Sequence, residues 1–182
     1  MTKVRLDKFD ASVDFNRGAN KFKMISWYLI KTTFFLTAIP YPSSWKCSFL
    51  RFFGAKIGKG VVIKPRVNIH FPWKLIIGNH VWIGEEVFLL NFELQSIGDN
   101  VCISQRSFLC GGNHDYKIPS MPYRNGPITL KNGSWIGASC FLGPNVTIGT
   151  DTVISAGSVV TKSLPENGIY RGNPIEFIKE RW

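Results

Sequence analysis

The chain has 182 residues, a formal charge of +10 and 45% hydrophobic residues. That length allows one domain with a real core, and the composition excludes a disordered chain. The charge favours anionic partners, but the basic residues build no nucleic-acid motif with interleaved aromatics, so nucleic acid is not an expected partner.

Residues 1–56 come first. The apolar run from Met24 to Pro40, "MISWYLIKTTFFLTAIP", carries Lys31 in its middle and ends at a proline. It is shorter than the roughly 20 apolar residues of a spanning helix, and it starts late for a signal peptide. Residues 21–56 mix aromatics with Lys21, Lys23, Lys31, Lys46, Arg51 and Lys56. The favoured reading is a partly helical cap over the open end of the fold that follows. The other is an interfacial segment in peripheral contact with a membrane, with Trp27 and Phe34 as exposed anchors.

From Ile57 a period of six sets in. Ile57, Ile63 and Ile69 form one set, followed by Ile77, Ile83 and Leu89, then Ile97, Ile103 and Leu109, then Leu130, Ile136 and Leu142, and last Ile148, Ile154 and Val160. Six is a multiple of two and not of 3.6, so short strands keep these anchors on one face where a helix would scatter them. Glycine follows many anchors, as in Gly78, Gly98 and Gly137, which suits a corner where a side chain is unwelcome or φ is unusual. The reading is a β-helix with three short strands per coil, about five coils over residues 57–164. Every insertion follows the third anchor of a coil. The longest is a loop over residues 111–126, and the repeat resumes in phase after it.

Stacking the coils aligns Phe71, Asn91, Gly111, Pro144 and Lys162 at the insertion corner, and Pro65, Glu85, Gln105, Ala138 and Ala156 at another. The second column turns small at its end, which would let a ligand lie against the backbone. Trp82 and Trp135 alternate outward, toward a neighbouring subunit. Residues 165–182 form a C-terminal extension. Asn173-Pro174 reads as an N-cap followed by proline at the first helical position, predicting a short helix over 174–181.

The four cysteines, Cys47, Cys102, Cys110 and Cys140, include no CxxC pair and read as reduced thiols of a cytosolic protein. A lone histidine, His114, sits in the long loop between Gly111-Gly112 and Asp115. A histidine can titrate near working pH, as a general base must.

The repeat, with "GSWIGASCFLGPNVTIG", "ISAGSVVTKSLPENGIYRGNPIEFIKER" and "GGNHDY", resembles the trimeric left-handed β-helix acyltransferases, and the N-terminal part looks most like the colanic acid biosynthesis acetyltransferases. The resemblance implies an all-β fold, a left-handed parallel β-helix, and a cytoplasmic sugar O-acetyltransferase of polysaccharide assembly; the interfacial reading of residues 21–56 would put it at the inner face of the membrane. It implies acetyl-CoA as donor, and a sugar, nucleotide sugar or lipid-linked glycan as acceptor. The homotrimer it implies shares each site between subunits. His114 matches the catalytic base of the family. Asn91 matches an acceptor-binding asparagine, and Asp115 stands where it could orient the base or the acceptor. Ala138, Ala156, Thr161 and Lys162 match CoA-contacting positions, while Arg171, Lys179 and Arg181 could meet the nucleotide phosphates. Two rival readings remain: a non-catalytic β-helix that binds glycans or partners, and a γ-carbonic-anhydrase-like metalloenzyme using His70, His80 and His114. The H-x4-H pair of the latter is missing, so no metal is expected.

Overall fold

A computed structural model describes residues 3–13 and 15–182. The anchors stack in the register that the period of six predicts. Ile57, Ile77, Ile97, Leu130 and Ile148 are parallel partners in one sheet. Ile63, Ile83, Ile103, Ile136 and Ile154 are partners in a second. Ile69, Leu89, Leu109, Leu142 and Val160 are partners in a third. All but the half-exposed Ile57 are buried. Residues two positions before an anchor, such as Val67, Val87, Ser107, Cys140 and Ser158, are buried too, as a strand period of two requires. The result is a left-handed β-helix of five coils. A partial sixth follows, in which Leu164 bridges Ile148 and Gly168–Arg171 pairs with Val153–Ile154.

The glycine after an anchor is there for close approach rather than for φ. A Cβ on Gly137 would sit 2.5 Å from the Ala156 nitrogen of the next coil, and one on Gly149 would sit 2.3 Å from the Glu166 nitrogen. The left-handed backbone falls two residues further on, at the corner between the first and second sheets (His80, Asn100 and Asp151, φ 56–57°) and again at the corner between the second and third. There Arg66, Glu86, Arg106 and Ser139 have φ of 57–61° and Gly157 has 73°. Glu86 ties three of these coils together through Arg66 at 3.1 Å and Arg106 at 2.9 Å.

Two helices, α1 (Lys21–Phe34) and α2 (Ser43–Phe52), cover the open first coil. The capping reading therefore holds for these helices. Trp27 is buried and donates its indole N–H to the carbonyls of Ile69 (3.2 Å) and His70 (3.0 Å), so it is not an exposed anchor. Phe34 is half-buried against Tyr41 and Phe49. The ammonium of the fully buried Lys46 donates to the carbonyls of Ile63 (3.1 Å) and Lys64 (2.9 Å), satisfying acceptors that a further coil would otherwise take.

The C-terminus departs from the expected helix. Glu176–Glu180 is a strand, antiparallel to Gly168–Arg171, and Gly172 (φ 106°) and the cis Asn173–Pro174 peptide lie in the turn between them. Tyr170 packs edge-on against Phe177, and Arg181 donates to the carbonyls of Gly133 (2.9 Å) and Asp151 (3.1 Å). Pairing with the last open strand of the second sheet outweighs local helix signals, because an unpaired edge leaves backbone groups unsatisfied.

Candidate active site

The long loop is an arm of two antiparallel segments. Gly126 N–H donates to Gly111 O (2.9 Å), Arg124 N–H to Asn113 O (2.8 Å) and Asp115 N–H to Pro122 O (2.9 Å), and His114 bridges Tyr123. This backbone pairing fixes His114 on a frame rather than on a free loop. The ring stacks on Tyr123 with centroids 5.0 Å apart and meets the edge of Phe9 at 5.3 Å. Phe9 arrives with the N-terminal segment, which reaches the arm where Arg5 N–H donates to Pro119 O at 2.8 Å. Phe15 continues this cover, packing on Tyr123 at 4.8 Å and on Phe92 at 4.8 Å.

His114 Nδ1 lies 2.6 Å from the carbonyl oxygen of Met121. A carbonyl only accepts, so Nδ1 carries the hydrogen, and in the neutral ring the lone pair is on Nε2. That is the tautomer of a general base. The orienting group is Met121 O and not Asp115, whose carboxylate instead accepts from Lys117 N–H at 3.0 Å within its own turn.

Between the arm and the last coils lies a groove of about 480 Å³. Gly112, Asn113 and Arg124 line it from the arm, and Gly143, Asn145 and Thr161 from the coils. Thr161 thus faces the arm across the groove. Arg124 and Asn145 were not picked out by the repeat, since both stand outside the anchor pattern. Cys110 also lines the groove, but burial pushes its thiol up from the ordinary value and its Sγ lies 3.2 Å from Gly112 O, so it is no ready nucleophile.

Ala138 and Ala156 stand at the other predicted corner. Gly157 N–H donates to Ala138 O at 2.8 Å, which stacks the two coils. The N–H groups of Ala138 and Ala156 have no acceptor among the described residues. Ala138 shares a cleft with Glu85, Gln105 and Arg106, separate from the groove of Thr161. One subunit therefore does not gather all the expected CoA contacts in one place. Lys162, Arg171 and Lys179 are exposed, Lys162 beside Thr161 and the other two on the terminal hairpin.

Asn91 does not present its side chain to an acceptor. It is fully buried, and its Oδ1 accepts from His70 N–H (3.1 Å) and Phe71 N–H (2.8 Å). Its Nδ2 donates to Phe71 O (2.5 Å) and Lys74 O (3.2 Å). The side chain holds the bulge over residues 70–74, one coil below the arm. The three histidines are not brought together either. His80 has φ of 56° at the first corner, and Phe92 and Tyr123 separate His70 from His114. No three His, Cys, Asp or Glu residues cluster as a metal site among the described residues.

A coiled scaffold with an open groove and an oriented histidine on an inserted arm defines an acyltransferase of the β-helix class. Residues 127–162 match the family model described as bacterial transferase hexapeptide (six repeats). The Escherichia coli (strain K12) protein named "Putative colanic acid biosynthesis acetyltransferase WcaF" is 42% identical over 165 residues, 91% of each chain. Galactoside O-acetyltransferase of the same organism is 32% identical over 131 residues, 69% of this chain and 64% of that protein. The structure of a galactoside acetyltransferase in complex with coenzyme A matches with a TM-score of 0.79 at 26% identity, over 88% of this chain and 82% of that one. The fold is also that of a hexapeptide-repeat acetyltransferase from Vibrio cholerae complexed with acetyl coenzyme A, with a TM-score of 0.81 at 22% identity over the whole of both chains. This chain belongs to the hexapeptide-repeat acetyltransferase family.

Proposed function

We propose that the protein transfers acetyl from acetyl-CoA to a sugar hydroxyl in the biosynthesis of an extracellular or capsular polysaccharide. The observation that carries this reading is His114, held by Met121 O with Nε2 left as the free base. Nε2 takes the proton of the sugar hydroxyl as its oxygen attacks the thioester carbonyl. The C–S bond then breaks, and the imidazolium returns the proton to the CoA sulfur. The raised thiol of Cys110 favours this direct transfer over an acyl-enzyme. Relatives named for colanic acid and galactoside acetylation support a sugar acceptor.

The working unit in this reading is a homotrimer in the cytoplasm. The Ala138–Ala156 column and the His114 arm stand at different corners of one prism, so a neighbour's column completes the site. The exposed Trp82 and Trp135 suit the contact between subunits. A panel of neutral sugars, amino sugars and nucleotide sugars, with acetyl-CoA and detection of free thiol, tests the reading. Thiol release should follow a hydroxyl acceptor, vanish in His114→Ala, and come from a species of three chains in light scattering. Release with amino sugars alone would make it an N-acetyltransferase, and an active monomer would remove the shared site.

A further inference from the structure

We propose that the helical end of the β-helix is a docking surface for a bilayer rich in anionic headgroups. The first observation is an apolar face that the cap leaves uncovered. While α1 buries Trp27 and Lys31 against the coil, its outer side shows Phe22 (80% exposed), Ile25 (61%) and Leu29 (61%) at helical spacing. Phe52, the last residue of α2, is 83% exposed. Between the helices lies an open groove of about 580 Å³ lined by Ile30, Phe49, Phe52 and Phe53 together with Ser26 and Ser48, and its surface is mostly apolar. A contiguous exposed apolar patch of this kind marks an interaction site.

The second observation is charge. Residues 15–84 contain eleven Lys and Arg and no Asp or Glu, whereas the rest of the chain has eleven basic and twelve acidic residues. Lys64, Arg66 and Lys74 pair with Glu85, Glu86 and Glu93 of the next coil, and the other eight have no carboxylate partner among the described residues, so most of the positive charge sits on the end that carries the apolar face. Arg17, Lys21, Lys56 and Lys59 are exposed there.

The third observation lies on the flank of α1. Arg17, Lys31 and His70 line a cleft of about 220 Å³ with Trp27, Tyr28 and Trp73. Lys31 is buried to 7% exposure, and among the described residues its ammonium has no carboxylate or hydrogen-bond partner, only the Tyr28 ring 5.6 Å away. A headgroup phosphate would supply one.

These features together favour a bilayer. A second copy docked face to face would set one strongly basic end against another, and like charges would oppose it. A nucleic acid would match the charge and leave the apolar stripe in water. Basic residues around an apolar helical face are the pattern of interfacial anchoring. No helix among the described residues is long and apolar enough to cross a membrane, so the contact is peripheral. If the chain forms the cyclic trimer proposed above, three such ends point the same way, and avidity multiplies a weak single contact.

The test uses the whole protein and vesicles of phosphatidylcholine with and without phosphatidylglycerol. Co-sedimentation should be at least about tenfold stronger with phosphatidylglycerol, and salt should weaken but not abolish it. The variant Phe22→Ser/Leu29→Ser/Phe52→Ser should lose at least about tenfold of that binding, with Tm and acetyl transfer to a soluble acceptor unchanged. If the triple variant folds poorly, Phe22→Ser and Phe52→Ser are read singly. The proposal fails if anionic lipid gives no preference, or if the folded variants bind vesicles as the parent does, which would mean adsorption by charge alone. It also fails if the variants lower the solution mass, which would make this face a contact between copies.

Discussion

The Nδ1 atom of His114 lies 2.6 Å from the carbonyl oxygen of Met121, seven residues further along the same arm. The arm thus supplies both the base and the group that sets its tautomer. Replacing His114 by Ala removes the base and leaves the groove walls in place. Turnover should fall by about 10² to 10⁴ fold while CoA affinity and Tm stay close to the parent. A variant that keeps more than about a third of the parent rate would remove His114 from the mechanism.

Ala156 tests the path of the donor. It is exposed at the corner, and its N–H has no acceptor among the described residues. Ala156→Trp should fill the space beside that N–H without entering the core. We expect acetyl-CoA binding by calorimetry to be lost, with the assembly and Tm preserved. Normal CoA affinity in the folded variant would place the donor elsewhere.

Asn91 separates a structural role from a binding role. Four hydrogen bonds end on its buried amide. Asn91→Ala strips partners from Phe71 and Lys74 and should cost about 3 to 5 kcal/mol of stability. The folded fraction should show a KM for the acceptor within about twofold of the parent, because the side chain never faced it. A large rise in KM with unchanged Tm would restore the acceptor contact.

Much of the scaffold was legible because a period of six is rigid: the anchors from Ile57 to Val160 pair in register, twenty residues apart before the arm, thirty-three across it and eighteen after it. His114 was legible because it sits where the repeat breaks. The features that the sequence hid depend on contacts across long separations. Nothing local says that Met121 rather than Asp115 orients the ring, or that Phe9 and Phe15 fold back over the arm. Asn91 was placed in the right column, but the column does not say whether a side chain turns inward. The terminal helix failed because Asn173-Pro174 is a local signal, while the open edge of Gly168–Arg171 is a tertiary one. Trp27 looked like an anchor from composition, and only its two indole hydrogen bonds show it to be part of the cap.

His70 carries a pH dependence with a definite sign. It is half-buried beside the cap, with its ring against Phe71 (4.4 Å) and Phe92 (4.9 Å), and Arg17 and Lys31 are the charged groups that share its cleft. Burial first, and then the Lys31 charge, push its pKa down from 6.5 to about 4. Between those values the unfolded chain binds a proton that the folded chain refuses, so unfolding gains as the pH falls. The stabilisation is fully present above pH 6.5 and is lost as the pH drops toward 4. At about 1.36 kcal/mol per pH unit its ceiling is about 3 kcal/mol, and partial exposure lowers it to about 1 to 2. His70→Asn has no proton to refuse, so the difference in unfolding free energy between parent and variant should shrink by that amount across this window. Carboxylates that titrate in both proteins cancel in the difference. Denaturant melts at a series of pH values measure it directly. Parallel curves for parent and variant from pH 7 down to about 4 would show that His70 titrates alike in the folded and unfolded chain.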